Sequence, residues 1–145
     1  MAMIDDEYRL HRFVTAQAPV YDEALVMLRH GVMCTPHMDF IFPRLISVYV
    51  EAGSSGFGVG SLDEARAILE FPILGGRYRE CLETLGWLAD ISPIFLFGEA
   101  DVRRLHASLT LFAEATGEPV VRSMLTIWFG DLADGPTMDA LSRSG

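Results

Sequence analysis

Four chemistry-bearing side chains, Arg104, His106, Ser108 and Thr110, fall within seven residues of this 145-residue sequence. On a helix advancing about 100° per residue, Arg104 and Ser108 share one face at i, i+4, and His106 and Thr110 share another. A guanidinium beside two hydroxyls can hold a phosphate or a carboxylate through charge-assisted hydrogen bonds. In the plainer alternative the hydroxyls bond back to the i−4 carbonyls and Arg104 is a solvated surface cation. Arg44 follows a dense apolar knot, Phe40-Ile41-Phe42-Pro43. His37, with Asp39 and Cys34 close by, invites a metal reading. Structural zinc needs four closed ligands, and the sequence offers no second Cys/His pair at fixed spacing, so no metal and no cofactor are expected. Cys34 beside His37 is a conceivable nucleophile, and Cys81 reads as a buried inert thiol. No Gly-x-Ser-x-Gly elbow announces a serine hydrolase. Among the acids, Glu64 is explained by a capping box, and Glu80 by an i, i+3 ion pair with Arg77. Paired-carboxylate catalysis has no specific support.

These groups must be held by helices. Asp5, Asp6 and Glu7 precede a first helix whose face is Leu10, Phe13 and Val14. Pro19 opens a second, over about residues 19–30, closed by Gly31. Periodicity does not decide whether Leu45–Val50 is a strand or a buried helix. Gly53 to Gly60 reads Gly-Ser-Ser-Gly-Phe-Gly-Val-Gly, a loop able to lie as a lid over the Phe40–Pro43 knot. It lacks the Gly-Lys-Ser/Thr ending of a P-loop, and an ordinary flexible loop is the better reading. Ser61 with Glu64 caps a helix over residues 62–70, ended by Pro72. Leu74-Gly75-Gly76 reads as a turn or a loose helical start, before Tyr78, Cys81, Leu82, Leu85 and Leu88 at helical spacing. Ser92-Pro93 starts a short helical turn closed by Gly98. Helices follow from Asp101 to near Gly117 and from Pro119 to Phe129, with a final turn over Pro136–Ser142. Trp87, Trp128 and Phe129 are expected in the core. The sum is an all-α single domain of six or seven short helices, its core about residues 5–130, followed by a weakly ordered tail over residues 131–145.

The charge balance excludes several partners. Eleven cations, all arginine, face 20 acids, for a net charge of −9. Such a chain is repelled by nucleic acid and by anionic membrane surfaces. The absence of lysine removes Schiff-base chemistry and the P-loop cation. Two cysteines, an acidic N-terminus and no apolar run of membrane-spanning length point to a reduced, cytoplasmic setting.

Several segments, in order, resemble one family. They are Phe13-Val14-Thr15-Ala16-Gln17 with Tyr21; Phe40-Ile41-Phe42-Pro43; Phe57-Gly58-Val59-Gly60 through Arg66; and Pro72-Ile73-Leu74-Gly75 with Arg77, Glu80 and Cys81. Phe97-Gly98 with Asp101, and Ser108 to Phe112, complete the set. The chain is similar to a bacterial and fungal domain family of unknown function that sometimes carries the label "calpastatin" and has an actinobacterial structural representative. The resemblance implies an all-α fold and no particular activity. It covers about residues 8–130 and marks a divergent member. Arg104 stands at a family lysine, Arg44 at a glutamine, Ala107 at a serine, and Met33 at a second lysine. A His-Trp-Met-Trp run keeps only Met38. The apolar framework persists while the polar groups of the family site are partly gone.

Two functional classes follow. One is a noncatalytic module that binds a small molecule or another protein. The other is an enzyme or sensor acting on an anionic small molecule such as a nucleotide derivative, with Arg104, Ser108, Arg44 and the glycine loop converging near Phe40–Pro43. The ligand-binding candidates are Arg104, Ser108, Thr110, Arg44, Phe40, Phe42 and His37. The chain is expected to be a monomer or a homodimer.

Overall fold

The computed structural model describes residues 7–48 and 56–144, with the backbone alone at Ser144. Asp5, Asp6, residues 49–50 of the segment with ambiguous periodicity, and Gly53 to Ser55 of the glycine loop lie outside the described residues. Nine α-helices appear among those described, in the order α1 (His11–Gln17), α2 (Tyr21–Arg29), α3 (Met38–Ile41), α4 (Leu62–Glu70), α5 (Pro72–Gly86), α6 (Pro93–Phe97), α7 (Glu99–Thr116), α8 (Pro119–Phe129) and α9 (Gly135–Ser144). Short 3₁₀ turns occupy Thr35–His37 and Ile46–Val48. No helix is long and apolar enough to cross a membrane among the described residues.

The punctuation works as the sequence implies. Pro72, Pro93 and Pro119 each stand at the first position of a helix, where a missing N–H costs nothing. Ser61 Oγ accepts from the Glu64 amide at 3.1 Å, the forward half of the capping box. Its return half shifts by one residue, since Glu64 Oε1 accepts from the Gly60 amide at 2.9 Å.

The all-α class stands, but the number of helices exceeds the six or seven expected. Two departures add a helix each, α3 and α9, and a third lengthens α5. Pro72 does not merely end α4; it starts α5, which runs straight through Gly75-Gly76. A Cβ on Gly75 would lie 2.1 Å from the Leu69 carbonyl oxygen, so the glycine permits α4 and α5 to meet at close range. The stretch from residue 38 to 48 is neither a strand nor one buried helix. It is the four-residue α3, then Pro43, then a single parallel bridge between Leu45 and Val59, then a 3₁₀ turn. The final turn over Pro136–Ser142 is the ten-residue α9, with Thr137 and Ala140 buried.

At the centre lies α7, packed by α4, α6, α8 and α9. Every residue from Ala107 to Ala113 on it is buried. A helix surrounded on all sides has no polar face to offer, and hydroxyls on it must find partners inside the core. Around it, α5 packs on α2, α4 and α8, and α1 packs on α3 and α5. The helices share one apolar cluster running from Leu10 to Ala140.

Candidate functional site

Two of the predicted site residues meet. Arg44 and Arg104 line one cleft of about 600 Å³, together with Ser47, Arg103, Asp134, Asp139 and Arg143. The walls are the first turns of α7, the start of α9 with Arg143 near its end, and the segment after Pro43.

Each arginine is positioned by a local device. The Arg44 carbonyl accepts from the Val59 amide at 2.9 Å, and Ile46 donates back to the Val59 carbonyl at 2.7 Å. That two-bond clip fixes the backbone of the Arg44 segment against the end of the glycine loop. Gly58 fits the clip because a Cβ there would sit 2.6 Å from Ile46 Cγ1. The Arg44 guanidinium donates to Asp39 Oδ1 at 2.8 Å. Arg104 donates to Asp101 one turn earlier, at 2.7 Å, and Thr35 Oγ1 donates to the other oxygen of the same carboxylate at 2.5 Å. Arg103 lies 3.7 Å from Glu99. Asp134 precedes α9 and caps it, accepting from the Thr137 amide at 3.1 Å and from its hydroxyl at 2.7 Å.

Ser108 and Thr110 do not join the cleft. Ser108 is 0% exposed and shares a 2.9 Å hydrogen bond with the Tyr78 hydroxyl of α5. Thr110 is 1% exposed and accepts from the Asp134 amide at 2.9 Å, which ties α9 to α7. Neither bonds back to its own helix as the plainer sequence reading has it. Each closes a seam between helices. His106 lies flat on Phe129, with ring centroids 4.0 Å apart, and its Nε2–H donates to the Leu132 carbonyl at 2.7 Å.

The aromatic candidates gather elsewhere. Phe40 lies between His37, at 5.8 Å, and Phe57, at 5.2 Å. Phe42 is fully buried against Tyr78 at 6.0 Å. His37 stands 3.8 Å from Glu23. Phe57 brings the described end of the glycine loop onto Phe40, but residues 56–60 are not among the cleft walls. Among the described residues, the expected convergence of Arg104, Ser108, Arg44 and the loop is therefore reduced to the two arginines.

Other expectations change as well. Burial pushes the Cys34 thiol up to about 12, so it stays protonated at neutral pH and is a poor nucleophile beside His37. Cys81 is likewise pushed up to about 12. Glu80 and Arg77 turn to α1 and α2: Tyr21 donates to Glu80 at 2.5 Å, and Arg77 donates to Gln17 at 3.2 Å while lying over the Tyr21 ring. Trp87, expected in the core, is 90% exposed. Among the described residues, no three His, Cys, Asp or Glu side chains are grouped to hold a metal ion.

The sequence reading overlooked Arg12. Its guanidinium donates to the carbonyls of Gly56 and Gly58, each at 3.0 Å, and to Glu64 Oε2 at 2.9 Å. It thereby pins the glycine loop to α1 and to the start of α4. No spacing rule links residues 52 positions apart. The overlooked cleft residues had weak signals. Arg103 adjoins Arg104, while Arg143 and Asp139 become visible only once α9 is seen to form.

A comparison with curated proteins finds no match. Among solved structures, the chain is similar to the conserved hypothetical protein Rv1873 from Mycobacterium tuberculosis, at 35% identity and a TM-score of 0.88. That likeness covers 94% of this chain and 99% of the other. The family profile matches residues 7–141, nearly the whole sequence, and the chain belongs to the family described as protein of unknown function (DUF1810).

Proposed function

We propose that the protein is a noncatalytic binding module for an anionic small molecule seated in the arginine-lined cleft. The observation that carries this reading is charge placement. In a chain of net charge −9, four of the eleven arginines line one cleft, against two aspartates. A guanidinium presents five donors in a fixed fork, and the hydrogen bond from Arg104 to Asp101 uses one of them. Phosphate or carboxylate oxygens suit the rest. Among the carboxylates of the walls, Asp134 is committed to capping α9, and neither histidine nor cysteine lines the cleft. That composition favours holding an anion over transforming it.

Calorimetric titration with pyrophosphate, citrate and a nucleoside monophosphate tests the reading. At least one should bind, and Arg104→Gln should weaken it tenfold or more, which corresponds to about 1.4 kcal/mol. Raised salt should weaken it further. If no anion binds, or if binding is indifferent to Arg103 and Arg104, the reading is wrong. Arg104-dependent turnover of a bound nucleotide derivative would instead make the protein an enzyme.

A further inference from the structure

The corner where α5 turns into α6 departs from the rest of the surface. Within nine residues, Trp87, Ile91, Ile94 and Phe95 all reach solvent, Trp87 at 90% and Phe95 at 83%. The inward needs of this corner are already met. Leu88 and Leu96 pack on the core, and the buried Phe97 meets Trp128 edge-on at 6.0 Å. α6 reads Pro-Ile-Phe-Leu-Phe, apolar on every side, yet has core on only one of them. Isolated exposed apolar residues are ordinary on a protein surface. A Trp, a Phe and two Ile exposed within nine residues of one corner are an apolar grouping of the kind that marks an interface.

Charge indicates what covers it. Residues 80–101 contain five acids and no basic residue. Of these, Glu80, Glu83, Asp90 and Glu99 are exposed. Beside the patch, a pocket of about 420 Å³ is lined by Arg29, Glu80, Glu83, Thr84 and Trp87. Arg29 offsets one of the two carboxylates there, and the open indole face beside the remaining negative charge favours an ammonium or guanidinium group. A second copy of this acidic chain would bring like charge to the same corner.

We infer that the α5–α6 corner docks a basic amphipathic segment of another protein, with apolar residues on Phe95 and Ile94 and a Lys or Arg side chain seated over Trp87 beside Glu83. None of these residues lines the arginine cleft, so the inference stands apart from the proposed ligand site. The occupant is an amphipathic helix laid on this patch, its apolar anchors spaced at i, i+3 and i+4.

The test is titration of the full chain with a Leu/Lys peptide of roughly four helical turns, patterned for one apolar face, and with its Leu/Glu counterpart. Trp87 provides the signal: its emission should shift to the blue as the peptide covers it. The Leu/Lys peptide should bind and the Leu/Glu peptide should not. Trp87→Ala with Phe95→Ser, at exposed positions and with net charge unchanged, should weaken binding at least tenfold by anisotropy of a labelled peptide. Glu83→Gln should weaken it a few-fold. A thermal melt confirms that each variant folds. If the Leu/Lys peptide does not bind, or binds the double variant as well as the parent, the inference fails. A mass by light scattering that doubles with concentration in the parent and not in Phe95→Ser would also overturn it, assigning the corner to a second copy.

Discussion

The first turns of α7 and its later turns use similar residue types for different ends. Near the start, Arg103 and Arg104 line an open cleft, each beside an acid one turn back. From Ala107 to Ala113 every residue is buried, and Ser108 and Thr110 are structural ties to Tyr78 and to the cap of α9. Sequence spacing places Arg104 and Ser108 on the same stripe. What separates them is how many neighbours the helix has at each level, and spacing alone carries no information about that. A polar residue on a helix is therefore a site candidate only where the packing around the helix is incomplete.

The contrast between the two halves can be broken in three ways. Phe112→Ala, in the surrounded half, should lower stability by about 3–5 kcal/mol, read from the urea midpoint, because a fully buried ring leaves a cavity. A small loss there would mean that α7 is not the centre of the core. Ser108→Ala leaves the Tyr78 hydroxyl without its partner and should cost about 1–3 kcal/mol. Adding Tyr78→Phe should recover much of that, giving a clear coupling energy in a double-mutant cycle. If Ser108→Ala leaves stability unchanged and abolishes anion binding, Ser108 belongs to the site after all. The smallest effect is expected at the cleft. Arg104→Gln should change stability by less than about 1 kcal/mol, since its partly exposed pair with Asp101 is screened by water. A larger loss would make Arg104 a structural residue and weaken the binding proposal.

Much of the framework was legible because proline, glycine and capping residues act locally. Pro93 and Pro119 start helices where their chemistry demands, Ser61 caps α4, and Gly117 ends α7. Features that depend on distant neighbours were not legible. The size of the Trp87 ring suggests a core residue, yet Trp87 follows the last residue of α5 about half a turn away from the Tyr78–Leu85 stripe, and the ring is left exposed. The capping box gives Glu64 a purpose, which conceals that Arg12 holds its other oxygen. α9 has few large apolar residues; it is anchored by Thr110 and the Asp134 cap, contacts between side chain and backbone that no periodicity reveals. Of the candidate site, Arg44 and Arg104 were found from their types and the family resemblance. Arg103 and Arg143 required the fold.

The central position of α7 also bears on how the chain is made. Its neighbours α4 and α6 precede it in the sequence, while α8 and α9 follow. During synthesis α4 and α5 emerge before α7, with Ile68, Leu69, Leu82 and Leu85 awaiting the helix that completes their core. At roughly 5–20 residues per second, the interval from α4 to the end of α7 lasts several seconds. Over that interval the nascent chain presents an apolar surface that the finished protein conceals. A slowed ribosome, or a missing chaperone, would expose this protein to aggregation more than its net charge suggests.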